Sequence, residues 1–281
     1  MYITAVVVLY KESITSSKSC SSLGEILLNN DDYRKQMNIV IYDNSPDPHE
    51  LPANFSKLDI EYVHDPRNLG ISTAYNYGLK VANEYKSEWL LLLDHDTKLT
   101  KNFIDKILNS DNLNANIGAI VPVVGCNNDI ISPVFSNTLQ PLKVERPSIG
   151  IHKEEPIMAI NSGSLINLSF LKEINGFNNE FPLDYLDHWL FYMIFDRGYC
   201  VQVIDEKIEH DLSVMDYSKV SLERYKIIAN AERNFYQKYK TSMFNSYKKQ
   251  LIKRLLKQIL LVKNKKIALY TLRMLLSLKG G

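Results

Sequence analysis

Cysteine is scarce. The 281 residues hold three, Cys20, Cys126 and Cys200, far apart and without a CxxC pair, which excludes a disulfide framework and a thiolate zinc site. Long apolar runs are also missing, none approaching the ~20 residues that a membrane-spanning helix needs. The first residues, Met1-Tyr2-Ile3-Thr4-Ala5-Val6-Val7-Val8-Leu9-Tyr10, carry no basic n-region and no small-residue cleavage site, so a signal peptide is not expected. Neither GxGxxG nor GxxxxGK[ST] occurs, and the dinucleotide-dehydrogenase and P-loop readings fail at the motif level. Taken together these absences predict a cytoplasmic protein.

What is present suffices for one large core, or a domain plus an appendage: 45% of the residues are hydrophobic and 23% charged. The formal net charge of +1 hides an asymmetry. From Tyr236 to the end lie 12 of the 33 basic residues and none of the 32 acidic ones. The two parts therefore face different partners.

The most informative stretch runs from Glu88 through Trp89-Leu90-Leu91-Leu92-Leu93 to Asp94-His95-Asp96. Five apolar residues ending abruptly in two carboxylates one residue apart predict a buried strand that delivers acid groups to a sheet edge, where open α/β sheets bind ligands. Carboxylate oxygens suit Mg²⁺ or Mn²⁺, ions that commonly bridge protein to a substrate diphosphate. A polar turn closing the strand is the competing explanation, because Asp is a common turn residue.

Other strands are predicted at Ile3 to Leu9, which puts Tyr10, Lys11 and Glu12 beside the crevice, at Asn38 to Asp43, and at Ile60 to His64. Asp43 then ends its strand as Asp94 does, either accepting hydrogen bonds from a nucleoside or closing an Asx-turn before Pro46. A helix is predicted from about Leu23 to Tyr33. A second follows Arg67-Asn68-Leu69-Gly70, with Ala74, Tyr77 or Gly78, and Val81 on its inner face. Three such βα units before the acidic strand predict a mostly parallel sheet flanked by helices. Further on come a helix over Phe103 to Leu108, a strand over Ile117 to Val124 and an irregular region from 125 to 156. Ser162-Gly163-Ser164 form a small turn entering a strand, and a helix from Phe170 is closed by Gly176.

A second acidic constellation, Asp184-Tyr185-Leu186-Asp187-His188-Trp189, opens an apolar helix. Asp184 or Asp187 serves there as a capping or first-turn acid, or as a general base between aromatic walls. His210 follows the strand Val201 to Ile204 by six residues and offers a neutral nitrogen ligand for a metal beside Asp96.

In order, Val7-Val8-Leu9-Tyr10, Tyr42-Asp43-Asn44-Ser45, Arg67-Asn68-Leu69-Gly70 with Ala74, Asn76 and Gly78, Asp94-His95-Asp96, Ser162-Gly163-Ser164-Leu165-Ile166, Asp184-Tyr185-Leu186-Asp187 and His210 resemble a family 2 glycosyltransferase of the GT-A fold, closest to its bacterial rhamnosyltransferase-like branch. The resemblance covers about residues 3 to 240, including Arg233-Asn234 and Tyr236. Each motif alone is modest; seven in sequence order are specific.

The resemblance implies a GT-A domain over 1–240, and the charge and apolar pattern beyond it give a basic amphipathic helical tail over 241–281. It implies that Tyr10, Glu12, Asp43, Arg67, Asn68, Gly70 and Asp94 hold a nucleotide-sugar donor, that Asp96 and His210 bind Mg²⁺ or Mn²⁺, and that Asp187 is the catalytic base. Ser162, Gly163, Asp184, His188 and Trp189 would contact the donor sugar or the acceptor. The implied reaction is inverting transfer of a sugar, L-rhamnose from deoxythymidine-diphosphate-rhamnose or else a hexose from a uridine diphosphate donor, to a hydroxyl of a growing polysaccharide or lipid-linked acceptor. Two positions depart from the pattern: Trp189 replaces the usual acid two residues after the base, and Met193 replaces a frequent helix Arg. They leave room for a catalytically silent nucleotide-binding scaffold.

In the tail, Leu251, Ile252, Leu255, Leu256, Ile259 and Leu260 form an apolar stripe beside Lys248, Lys249, Lys253, Arg254 and Lys257. Such a helix suits an anionic membrane surface, lying on it without crossing, and predicts a peripheral protein on the inner face of the cell membrane. Packing against protein is the alternative. Nucleic acid is not an expected partner, since no recognised motif accompanies the charge.

Overall fold

The computed structural model describes residues 1–109, 116–126, 129–137, 139, 146–211 and 220–278. In chain order the first half contains β1 (Ile3–Leu9), α1 (Lys18–Leu28), α2 (Asp31–Arg34), β2 (Met37–Asp43), β3 (Ile60–His64), α3 (Ile71–Glu84), β4 (Trp89–Asp94), β5 (Thr97–Lys98), α4 (Lys101–Leu108) and β6 (Ile117–Cys126). Then follow β7 (Asp129–Ser132), β8 (Val134–Phe135), β9 (Gly150–His152), β10 (Ile157–Met158), β11 (Leu165–Asn167), α5 (Leu168–Glu173), α6 (Leu186–Asp196) and β12 (Cys200–His210). Three helices end the chain, α7 (Leu222–Lys238), α8 (Phe244–Leu261) and α9 (Lys265–Ser277).

The main sheet has the order β3-β2-β1-β4-β11-β6-β12-β5. Its first four strands are parallel, β11 is inserted antiparallel between β4 and β6, and β12 runs parallel to β6. A β1 that is apolar except for the hydrogen-bonded Thr4, and the Trp89–Leu93 run, are what a strand covered on both faces requires. Alternate residues of β1, Ile3, Ala5, Val7 and Leu9, pack with Cys20, Leu23 and Leu27 of α1 and with Phe103, Ile104 and Ile107 of α4. On the other face Val6 meets α3 at Gly78, where a Cβ would lie 2.8 Å from the Val6 Cβ. Only a glycine lets that helix lie so close to the strand.

Several boundaries differ from the sequence expectations. Helix α1 starts at Lys18 because the Ser17 side chain accepts from the Cys20 N–H as its cap, and a separate short α2 capped by Asn30 follows. Between β2 and β3 there is only a 3-10 turn, Ala53–Lys57, so one of the three expected βα units lacks its helix. The region 125–156 is not wholly irregular: β7 pairs with β6 and β9 with β12, while residues 127, 128, 138 and 140–145 lie outside the described set. On α3, Ala74, Gly78 and Val81 face inward as expected, but the buried aromatic is Tyr75; Tyr77 is half-buried and bonds Glu61.

The chain forms two compact units, Met1–Asn137 with Pro141–Asp211, and Thr138–Gln140 with Leu212–Gly281. That division falls earlier than the 240/241 boundary read from charge, because α7 is tied to the last two helices. Arg254 forks onto Glu232 at 2.5 and 2.7 Å, Tyr225 Oη lies 2.6 Å from Thr271 Oγ1, and Tyr270 donates to Asn230 at 2.8 Å. Composition does not mark this join, since α7 still carries Glu223 and Glu232. Among the described residues no helix is long and apolar enough to cross a membrane.

Candidate functional site

Strand register sets out the site. Val8 of β1 is level with Tyr42 of β2 and Asp94 of β4, and Leu9 is level with Asp43, so the carboxyl ends of three parallel strands finish together. The chain turns back after Asp96 as β5, where Thr97 and Lys98 pair antiparallel with His210 and Glu209. His210 is thus the last residue of a long β12, not a loop residue beyond a short strand. This pairing brings an imidazole 113 positions away to the acidic turn.

Asp94, Asp96 and His210 offer ligand atoms that all lie within 4.8 Å of one another. The Asp96 and His210 side chains are 18% and 9% exposed, and Oδ1 of Asp96 lies 3.2 Å from Nδ1 of His210. That oxygen is buried and, apart from this imidazole contact, has no hydrogen-bond partner. A buried carboxylate oxygen so sparsely met favours a cation beside it. Two carboxylates and one imidazole are a donor set that Mn²⁺ or Mg²⁺ accepts, so the residues present fit a divalent metal.

Buried hydroxyls brace the cluster. The Asp94 N–H donates to Ser162 Oγ at 2.8 Å, and Thr97 Oγ1 lies 2.6 Å from Ser162 Oγ and 2.8 Å from His210 Nδ1. Ser19 bonds the Asp94 carbonyl and takes the Thr97 N–H at 3.2 Å, while Ser17 donates to the His95 carbonyl at 2.9 Å. Outer contacts of this kind fix metal ligands in place.

The electrostatics follow from burial. Burial opposes charge on Asp96, but His210 outweighs it and holds the carboxyl below the usual carboxylate range. Burial would also lower the His210 value, yet Asp96 and then Asp94 carry it above that of an ordinary imidazole. Asp94 shifts upward, through burial and the like charge of Asp96 acting against the pull of His210.

Tyr75, fully buried, donates to Asp94 Oδ1 at 3.3 Å. Its hydroxyl is pushed well above the ordinary phenol value by burial and then by the charges of Asp94, Asp187 and Asp96. Asp187 stands in the first turn of α6, where its Oδ1 accepts the His188 N–H at 2.8 Å. Tyr185, in a left-handed conformation, ends the incoming loop and stacks on the His188 ring at 4.3 Å. Asp184 is half-buried in that loop.

The loop carrying Asp187 is held by α3. Asn76 exchanges two 2.8 Å hydrogen bonds with the Phe177 backbone, and the Ser72 N–H donates to the Pro182 carbonyl at 3.3 Å. Gly70 has φ +97°, and a Cβ there would stand 2.2 Å from the Pro182 oxygen. Gly70→Ala is expected to cost roughly 1–3 kcal/mol, from a backbone region closed to alanine and a clash that displaces the loop. Thermal unfolding together with turnover would measure it, and an unchanged Tm would contradict this account.

The remaining candidates divide. Tyr10 is 42% exposed at the end of β1, with Glu12 half-buried nearby and the Lys11 ammonium over the Tyr10 ring. Arg67 is exposed, but its guanidinium grips Asp65 at 2.7 and 2.8 Å, and Asn68 has a positive φ of 47°. Asp43 is fully enclosed: Oδ1 accepts the Ser45 N–H at 2.9 Å, and Oδ2 takes the Tyr62 hydroxyl at 2.8 Å with His49 Nδ1 at 2.7 Å. The Asx-turn is realised there. Ser162 is 1% and Trp189 4% exposed, so both act through the packing and hydrogen bonds behind the site instead of presenting a surface to a sugar. Gly163 lies with φ +86° against Ile208. Sequence reasoning passed over Tyr75, Thr97, Ser17 and Ser19; a hydroxyl directly after Asp96 was the one local signal for any of them.

The fold has relatives among solved structures. A mannosyltransferase from Pyrobaculum calidifontis, PcManGT, solved with GDP-Man and Mn²⁺, superposes with a TM-score of 0.52 at 13% identity, over 82% of this chain and 62% of that one. TarS residues 1–349 from S. aureus, solved with UDP, gives 0.50 at 14% identity, over 89% and 78%. The chain spans 45% of the longer TarS chain, also from S. aureus. These likenesses identify the GT-A fold. No curated protein sequence matches. The family model for glycosyl transferase family 2 matches residues 6–162, more than half of the chain, from within β1 through the acidic turn after β4. By that match, this chain belongs to glycosyl transferase family 2.

Proposed function

We propose that the protein carries out metal-assisted, inverting transfer of a sugar from a nucleoside-diphosphate donor to a hydroxyl of a saccharide or lipid-linked acceptor. The observation that carries this reading is the meeting of Asp94, Asp96 and His210, whose ligand atoms all lie within 4.8 Å of one another. Asp94, Asp96 and His210 would hold the ion, which when bound neutralises charge on the departing diphosphate and lowers the barrier by several kcal/mol.

Asp187 takes the proton from the acceptor hydroxyl as its oxygen bonds to the anomeric carbon. The bond from that carbon to the diphosphate breaks in the same step, and the electron pair leaves with the nucleoside diphosphate. Attack opposite the leaving group inverts the anomeric centre. Tyr10, Glu12, Arg67, Asn68 and Gly70 are the donor-binding set, on the loops after β1 and β3. Asp43 works behind them, fixing the loop after β2 through Ser45 and holding His49. His188 and Asp184 flank the base on the acceptor side.

The donor favoured by the sequence resemblance is deoxythymidine-diphosphate-rhamnose, with a uridine-diphosphate hexose next. A panel of both with Mn²⁺ or Mg²⁺ is expected to release nucleoside diphosphate from one donor well above the rest, and to lose that signal with chelator. Release from no donor, with nucleotide binding intact, would leave a silent scaffold in place of an enzyme.

A further inference from the structure

The C-terminal helices leave apolar rows uncovered. On α8 the residues that turn inward are Tyr247, Leu251 and Gln258. The stripe read from sequence therefore splits: Leu251 is fully buried, whereas Ile252, Leu256, Ile259 and Leu260 are 50 to 78% exposed. Their spacing places them on one face. After a three-residue link, α9 repeats the arrangement, with Ile267, Ala268, Thr271 and Met274 inward and Leu269, Leu272 and Leu276 exposed. Tyr247 against Met274 and Thr271 against Gln258 lock the pair, so the outward faces are fixed by a packed inner seam.

Charge runs along the same helix. Lys249, Lys253 and Lys257, at four-residue steps, line an open groove of about 710 Å³ together with Ser246 and Arg254. Arg254 is committed to Glu232, but the three lysines are exposed. No acidic residue lies between Tyr236 and the end of the chain.

We infer that the outward face of α8 and α9 is a docking surface for an anionic lipid bilayer, its leucines and isoleucines entering the acyl boundary and its lysine row meeting headgroup phosphates. The pairing of an exposed apolar row with an all-basic flank selects this occupant. A second copy of the chain would bury the apolar row but bring two all-basic flanks, with no acidic residue from α8 or α9 to meet them, into one interface. Nucleic acid would use the lysines but leave the leucines in water, because phosphate contacts give them nothing.

The full-length protein is expected to sediment with phosphatidylcholine vesicles containing phosphatidylglycerol and to stay in solution with pure phosphatidylcholine. Lys249→Glu with Lys253→Glu and Lys257→Glu should weaken this partition by on the order of a hundredfold or more. Leu256→Asn with Leu260→Asn should weaken it by roughly tenfold or more at unchanged charge. All five positions are solvent-exposed, so the variants should keep the parent's circular dichroism and donor-dependent turnover. Competing inorganic phosphate should displace little protein, because isolated phosphate offers no apolar boundary. Equal sedimentation with both vesicle types would overturn the inference. So would a dimer by light scattering that Leu256→Asn dissolves, or binding to duplex DNA that the leucine variants leave intact.

Discussion

Asp187→Asn is expected to lower kcat by about 10²- to 10⁴-fold, the range that general-base assistance supplies. Donor affinity should hardly change. Asparagine keeps the shape of the side chain and an oxygen able to accept the His188 N–H, so the first turn of α6 stays intact. What is lost is the basic oxygen that takes the acceptor's proton. The measurement is released nucleoside diphosphate under saturating acceptor, with donor binding by calorimetry alongside. Asp184→Asn is the control three residues earlier, and a larger loss there would transfer the role to Asp184. Turnover at the parental rate in Asp187→Asn would remove it from the chemistry.

Asp96→Ala should produce the second large effect, at least about a hundredfold loss of metal-dependent turnover, in line with the several kcal/mol that a cation at the leaving group contributes. Direct Mn²⁺ binding by the variant should fall as well, which separates a metal ligand from a residue that only packs. His210→Ala should follow in the same direction. Removing Asp96 also takes away the ionised partner of His210, so the folded protein without metal should be somewhat less stable than the parent. A strongly destabilised variant with unaltered Mn²⁺ affinity would assign Asp96 to the fold.

Strands β1, β2 and β4 were legible because each is a short, mostly apolar run that stops at a polar residue, as Trp89–Leu93 stops at Asp94 and Ile39 to Tyr42 at Asp43, whereas β7, β8 and β9 lie in a region expected to be irregular. Helix starts were less so: a run of serines from Ser13 to Ser22 offers several equivalent caps, and only contact with the His95 carbonyl selects Ser17. Tyr75 was hidden by its neighbour, because Tyr75 and Tyr77 are both acceptable on an inner face until the position of Asp94 selects one. The apolar stripe of α8 was read as one stripe, whereas Leu251 turns inward and Ile252, Leu256, Ile259 and Leu260 stay exposed. A helix with apolar residues over more than half its circumference can bury either side, and the partners offered by α7 and α9 decide between them.

The amino-acid sequence alone determined which side chains stand at the ends of the strands, since burial periodicity and the switch from apolar to acidic are local properties of the chain. Tertiary structure alone decided which of those groups meet. His210 reaches Asp96 because β12 pairs with β5, and Asp43 turns inward because Ser45, His49 and Tyr62 close around it. Pairing between strands more than a hundred residues apart depends on the packing of the whole sheet, and no window of sequence contains it.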